Sequence, residues 1–318
     1  MKAALLQRLG EAPIWADHPE PEALAGDTRV RVEASSIKQL DRGIASGRHY
    51  ASPKTLPVIL GFDGVGRDNS GARVYFSVRR RPFGAFAEVA PAVDCVPVPE
   101  ALDSAVAAAV VNPALAAWLP LVWRAQLQKG ETVLILGATS ASGKLAVRAA
   151  RLEGAGRVIA CGRRPDALAA LGADATIDLR LPADALRATF AREAARGVGV
   201  VVDYVWGPPA EALIGALTTH DLGSSPGERD LRYVQVGAMA GANISLDGGA
   251  LRGARLTLLG SGTGNFPPFP RMREIVGEIF ARAAAGDIEQ PVVRRPASEI
   301  ARVWAEPDSA DHKVVLTF

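Results

Sequence analysis

Apolar runs and amphipathic stretches alternate along the second half of the chain with a regularity that predicts its architecture. Runs rich in Val, Ile and Leu occupy 132–136 (TVLIL), 157–161 (RVIAC), 175–179 (ATIDL), 199–205 (GVVVDYV), 232–237 (RYVQVG) and 255–260 (RLTLLG). Short continuous apolar runs suit strands covered on both faces, and the amphipathic stretches between them, such as 142–153 and 208–218, suit crossover helices. Strand and helix in strict alternation predict a doubly wound parallel sheet, with ligand sites at the carboxyl ends of its strands. Pro208 and Pro209 fall in the first turn of the second helix, where a missing N–H removes no bond.

The first 110 or so residues follow a different pattern. Short runs such as RVRVEA (29–34) and ARVYFSV (72–78) are separated by frequent Gly and Pro, with little helical period, which predicts a β-rich domain. The opening MKAALLQRLG reads as a first strand, since Gln7 and Arg8 break its apolar run too early for a signal peptide. After Gly260 come an amphipathic helix over 271–285, a stretch at 298–306 and a closing strand at 313–318, all expected to complete the N-terminal domain. The expected division is therefore 1–115 with 261–318, and 116–260. The stretch 104–123 carries no charge and reaches the nominal length of a membrane span. Asn112, Pro113 and Pro120 interrupt it, so the expectation is two short buried helices joined by a turn, and no membrane association.

Composition narrows the class. The chain has 318 residues, 48 % hydrophobic and 22 % charged, as in an ordinary globular enzyme. A net charge of +2 gives no field that would attract nucleic acid. Arg79-Arg80-Arg81 reads as a solvated loop rather than a phosphate site. Cys95 and Cys161, the two cysteines, allow neither a disulfide framework nor a cysteine-based zinc knot, and they fit a reducing cytoplasm.

The segment VLILGATSASGKLA (133–146) places small residues between a strand and a helix, where phosphate-binding loops occur. Gly143-Lys144 looks like the end of a mononucleotide loop, but five residues rather than four follow Gly137, and Leu145 offers magnesium no hydroxyl. A dinucleotide loop aligns Gly143 with the last glycine of G-x-G-x-x-G and puts Ala138 and Ser140 at the first two. Taken alone, the loop is a weak signal for either.

The whole chain resembles the medium-chain dehydrogenase/reductase superfamily, in its zinc-free quinone oxidoreductase branch. The resemblance rests on VRVEASSIKQLDRGIASG (30–47), LPVILGFDGVG (56–66), LQKGETVLILGATSASGKLAVRAAR (127–151), LGADATIDL (171–179) and the ending HKVVLTF. It implies an α/β fold in which a Rossmann doubly wound parallel sheet is joined to a GroES-like β-rich catalytic domain. It also implies that Gly137, Ala138, Thr139, Ser140, Ala141, Ser142 and Gly143 cradle the pyrophosphate of a dinucleotide. Zinc enzymes of this superfamily take ligands from a cysteine after the first sheet and from Gly-His-Glu. Here those regions read Ser35-Ser36-Ile37-Lys38-Gln39-Leu40-Asp41 and Gly61-Phe62-Asp63, so no metal is expected.

Further site residues follow from the same likeness. Quinone reductases usually carry an asparagine where Lys38 stands; the lysine either stabilises charge on a carbonyl oxygen or pairs with Asp41 or Asp63. Lys38, Asp41 and Tyr50 are the catalytic candidates, Tyr50 as proton donor or stacking ring. Gly162, Arg163 and Arg164 end the second strand, where NAD enzymes place a carboxylate against the ribose 2′-OH; arginines there suit the 2′-phosphate of NADPH. Asp203 and Trp206 end the fourth strand, and Gly237, Ala238, Ser261 and Gly262 follow the fifth and sixth, near the nicotinamide. The implied activity is NADPH-dependent reduction of a quinone or an α,β-unsaturated carbonyl compound in a cleft between the domains. The alternatives are a protein that binds NADPH without turnover, as a lens crystallin does, and a P-loop NTPase. An apolar last strand, RLTLLG, on an exposed sheet edge predicts a homodimer.

Overall fold

In strand Thr28–Ser36 the side chains of Val30, Val32 and Ala34 are buried while Arg29 and Arg31 face out, the period of two that the alternation predicts. The computed structural model describes residues 1–22, 24–49, 51–218, 230–307 and 309–318. The chain divides into two units, Met1–Asn112 with Pro268–Phe318, and Pro113–Pro267. Strands are numbered in chain order.

The first unit holds β1 (Lys2–Leu6), β2 (Ile14–Asp17), β3 (Thr28–Ser36), β4 (Val58–Ile59), β5 (Asp63–Arg67), β6 (Arg73–Ser77) and β7 (Val89–Pro97), with β14 (Val292–Pro296) and β15 (Lys313–Thr317) from the end of the chain. One sheet runs β14-β15-β3-β5-β6-β7, and β3 also pairs with β7, so β3, β5, β6 and β7 close on themselves. Closure leaves these four strands no open edge. A register shift between Val32 and Ala34 bends β3 as it passes from β7 to β5. Val30, Val32, Val74, Phe76 and Ala90 fill the closed part. A second cluster packs Leu6, Ile37, Leu60 and Phe86 under Ile300, Val303 and Leu316.

The second unit is built on β8 (Thr132–Leu136), β9 (Arg157–Gly162), β10 (Ala175–Asp178), β11 (Val200–Asp203), β12 (Leu231–Gln235) and β13 (Leu256–Gly260), all parallel, in the order β10-β9-β8-β11-β12-β13. The order reverses between β8 and β11, the switch point at which doubly wound sheets bind ligands. Leu134, Leu136, Ile159, Val201 and Tyr233 pack against Phe190, Leu213 and Ile214 of the covering helices. β10 and β13 are the edge strands, and Leu258 on β13 is 37 % exposed.

The charge-free stretch departs from expectation. It is one continuous helix, Ser104–Trp118, prolonged by wide π-type turns over Leu119–Ala125. Among the described residues this helix has the length and apolar composition to cross a membrane, but 78 % of its apolar window is buried within the protein. Proline at 120 cannot donate to the carbonyl of Ala116, which would ordinarily break a helix there. The Tyr204 hydroxyl donates to that carbonyl instead, at 2.8 Å, and the wider turns absorb the ring. No turn between two helices is needed.

Candidate functional site

The loop after β8 is shaped by its own backbone. Gly137 has φ +86°, and the N–H groups of Gly137 and Ala138 both donate to the Cys161 carbonyl at the end of β9, each at 2.9 Å. Ser140 caps the helix Ala141–Leu152: its hydroxyl accepts from the Gly143 N–H at 3.0 Å and donates to the Gly137 carbonyl at 2.9 Å. The side chain that replaces the motif's second glycine is thus folded back into the loop. A Cβ at Gly143 would lie 2.2 Å from the Gly137 carbonyl oxygen and 2.7 Å from the Ala138 Cα, so only glycine fits. Thr139 precedes this cap, and the N–H groups of Ala141 and Ser142 in the first turn have no intrahelical acceptor, which makes the helix start a place for an anion.

At the end of β9, Gly162 is buried and Arg163 and Arg164 are exposed. Arg164 reaches back and donates to the Thr139 carbonyl at 2.5 Å. Arg163 makes no hydrogen bond or ion pair among the described residues, so its guanidinium is available beside the loop.

Asp203, at the end of β11, is fully buried and already committed. One carboxylate oxygen accepts from the Val205 and Trp206 N–H groups at 2.7 and 3.0 Å, and the other accepts from the Tyr233 hydroxyl at 2.7 Å. Burial pushes its pKa up, against the pull of those bonds. Asp203 therefore acts by holding a turn, and that turn places Trp206 at φ 57° with its ring 6.2 Å from that of Tyr233 and tilted 63° to it. The N–H of Gly237 donates to the Asp203 carbonyl at 3.1 Å, that of Ser261 to the Gln235 carbonyl at 2.8 Å, and that of Gly262 to Asn265 Oδ1 at 2.8 Å. Ala238 is exposed just past β12.

The first unit brings a different set of residues together. Lys38 caps the helix Gln39–Ala45 and is 3 % exposed. Its ammonium lies 2.9 Å from Asp63 and 3.7 Å from Asp41, and donates to the Ser36 carbonyl at 2.9 Å. Asp41 accepts from the backbone N–H groups of Lys38 at 3.0 Å and Phe62 at 3.2 Å, tying the helix start to the Gly61-Phe62-Asp63 segment. Burial pushes the Asp41 carboxyl above its usual range; Lys38 opposes that and the nearby charge of Asp63 adds to it. Burial works to lower the Lys38 pKa, but the two carboxylates raise it above the ordinary lysine value. Tyr75 on β6 hydrogen-bonds Asp63, and burial followed by the Asp63 charge pushes its phenol well up. Of the two roles left open for Lys38, the geometry provides the ion pair, and the ammonium does not reach open space.

Beside this cluster is a pocket of about 220 Å³, lined by Asp41, Ile44, Ala51, Leu60, Gly61, Phe62, Val78, Arg79, Arg81 and Phe83. Gly61, at φ +92°, lets the wall approach Phe86, which a Cβ there would meet at 2.5 Å. Asp41 supplies the buried polar group of the pocket. Tyr50 lies outside the described residues. His49, beside it, has its pKa lowered by burial. Among the described residues no three His, Cys, Asp or Glu side chains gather as a metal ion would require. The position of the histidine in Gly-His-Glu is held by Phe62, which has no lone pair, and the Lys38 ammonium already pairs with the carboxylates nearby and would repel a cation, so these residues do not fit zinc.

The same architecture is found in known proteins. The quinone oxidoreductase of Thermus thermophilus, solved alone and with NADPH, is 30 % identical over the whole of both chains, with a TM-score of 0.71. The chain belongs to the medium-chain dehydrogenase/reductase superfamily. Within the superfamily's quinone oxidoreductase branch, a probable NADPH-dependent quinone reductase of Emericella nidulans is 29 % identical over 99 % of each chain. Prostaglandin reductase-3 of Mus musculus is 28 % identical over 64 % of this chain and 55 % of its own. No protein-family model matches the chain. The superfamily's two parts are the ones described above, a Rossmann sheet in Pro113–Pro267 and a GroES-like barrel in the first unit.

Proposed function

We propose that this chain is a reductase that uses NADPH to reduce a quinone or an α,β-unsaturated carbonyl compound, without a metal ion. The observation that carries the choice of cofactor is Arg163, exposed and unpartnered among the described residues at the strand end where a carboxylate would mark NAD. Likeness over full length to an NADPH-dependent quinone reductase and to a quinone oxidoreductase solved with NADPH supports the reading. NADPH supplies the hydride; the protein supplies orientation and charge.

Each unit has its part in this reading. In Pro113–Pro267 the Gly137–Gly143 loop and the first turn of its helix hold the pyrophosphate, Arg163 grips the 2′-phosphate, Trp206 covers the adenine, and the segments at Gly237-Ala238 and Ser261-Gly262 meet the carboxamide. In the first unit the pocket holds the substrate. Asp41, whose pKa burial moves up against the pull of Lys38, is the titratable group on the pocket wall to which we assign the passing of a proton to the reduced substrate. Lys38 sets the charge of Asp41 and is a positioning residue. We also assign the protein to the cytoplasm and to a homodimer paired along β13, whose exposed apolar edge such pairing would cover.

Steady oxidation of NADPH with a panel of small quinones and enones is the expected result, unaffected by chelator. No turnover across the panel would favour a protein that only binds NADPH. One tightly bound zinc per purified chain would overturn the metal-free reading. Light scattering at micromolar concentration should give twice the chain mass.

A further inference from the structure

Three consecutive arginines, Arg79, Arg80 and Arg81, follow β6, and the fold treats each differently. Arg79 pairs with Asp94. Arg80 lies 3.0 Å from Asp27, donates to the Glu22 carbonyl at 2.8 Å, and stacks over Phe83 at 4.9 Å. Arg81 makes no hydrogen bond or ion pair among the described residues, yet it lines the pocket. Crowding around its guanidinium lowers its pKa, partly offset by the charge of Asp41, even though the side chain as a whole remains exposed.

Arg81 thus places on the pocket wall a guanidinium that makes no hydrogen bond or ion pair among the described residues, with Asp41 the acidic side chain that shares the lining. Ile44, Leu60, Phe62, Val78 and Phe83 offer a ligand only apolar surface. Asp41 would repel an anion, but Lys38 lies 3.7 Å from it and two backbone N–H groups donate to its oxygens, so its charge is engaged within the cluster. A planar fork of N–H donors matches a carboxylate better than any neutral group. At about 220 Å³ the space suits one ring or a short chain.

We propose that Arg81 is a specificity residue that selects substrates bearing a carboxylate, held with their apolar part between Phe62, Leu60 and Val78. The inference rests on the reductase reading in taking this pocket as the seat of the substrate. It identifies that substrate as a small carbonyl compound with an anionic end.

Binding and turnover test it separately. Calorimetry with benzoate and benzamide reads the pocket without any chemistry: benzoate should bind about tenfold more tightly, the effect of one charge-assisted hydrogen-bond pair. In Arg81→Met the ratio should fall to near one, in Arg81→Lys it should be intermediate, and in Arg80→Met it should persist. Equal affinities for benzoate and benzamide, or a ratio that survives Arg81→Met, would overturn the proposal. NADPH oxidation with 4-oxopent-2-enoate and with its methyl ester supplies the second arm, where kcat/KM should favour the acid by a similar factor, lost in Arg81→Met. Turnover of both at equal kcat/KM would sink the specificity and keep the reductase. A benzoate preference without NADPH oxidation of any substrate would keep the carboxylate site and sink the reductase.

Discussion

The loop at Gly137–Gly143 and the cluster around Lys38 are both built for charge, and they are built in opposite ways. The loop uses backbone: N–H groups, one serine hydroxyl and a glycine that admits no Cβ, all within a dozen residues of chain. The cluster uses side chains: an ammonium, two carboxylates and a phenol, drawn from a helix start and from two strands and removed from water. Backbone donors keep their strength whatever the neighbours are. A buried ion cluster is stable only while each charge keeps its partner, because an ion lost leaves another unpaired in a medium of low dielectric. Away from its glycines, a single substitution in the loop should therefore do far less harm than one in the cluster.

The largest effect should come from Lys38→Met, which leaves Asp41 and Asp63 buried without a cation. Removing one partner of a buried ion pair costs roughly 3–5 kcal/mol, and denaturant unfolding should read a loss of that order. Lys38→Met combined with Asp63→Asn should recover part of it; a double variant no more stable than the single one would mean that charge balance is not what holds the cluster. Next in size is Arg163→Ala, which should weaken NADPH binding about ten- to a hundredfold, for a charge-assisted bond worth roughly 1.5–3 kcal/mol, while leaving NADH affinity nearly unchanged. Equal losses for both dinucleotides in a binding titration would assign Arg163 to the pyrophosphate or to packing. Tyr204→Phe should cost less, about 1 kcal/mol, because one buried carbonyl, that of Ala116, loses its donor. A melting temperature unchanged by this substitution would show that the π-type turns satisfy Ala116 without it. The smallest effect is one of slope. Asp41 has a folded pKa above its unfolded one, so the folded state holds its proton longer and this group's contribution to stability falls as pH rises between the two values. Asp41→Asn should remove that part of the pH dependence, seen as a difference between the two stability–pH curves.

The same contrast explains what the sequence disclosed. The strands β8 to β13 were legible because most are continuous apolar runs, and the doubly wound parallel sheet follows from strand–helix alternation. Ile14–Asp17 and Val58–Ile59 were not, since strands of four and two residues carry no period. The helix Ser104–Trp118 was misread because the group that rescues it, the Tyr204 hydroxyl, comes from 88 residues along the chain from Ala116. The loop's local spacing was ambiguous, and only its surroundings, a strand before it and a helix after, made it recognisable. The partners of Lys38 were named as alternatives, but that both carboxylates close on it at once depends on how Gly61-Phe62-Asp63 is held against the helix start, which no local spacing encodes. Arg79-Arg80-Arg81 read as one solvated run, and only the positions of Asp94 and Asp27 separate the third arginine from the other two.

The way the loop is hung bears on how such a protein can change over generations. The N–H groups of Gly137 and Ala138 both hang on a single carbonyl, that of Cys161 on the neighbouring strand. The curve of the chain is thus moulded by the strand next to it, with Gly137 required by its positive φ and Gly143 by the close approach of the loop backbone. The half-exposed positions 141 and 142 can drift while the bend survives, and Ser140 can stand where the motif has glycine because its hydroxyl is bonded back into the loop, so the spelling of a motif can change while the shape is kept. A search that reads letters will pass over this loop; one that reads the strand, the bend and the forbidden bulk will stop at it.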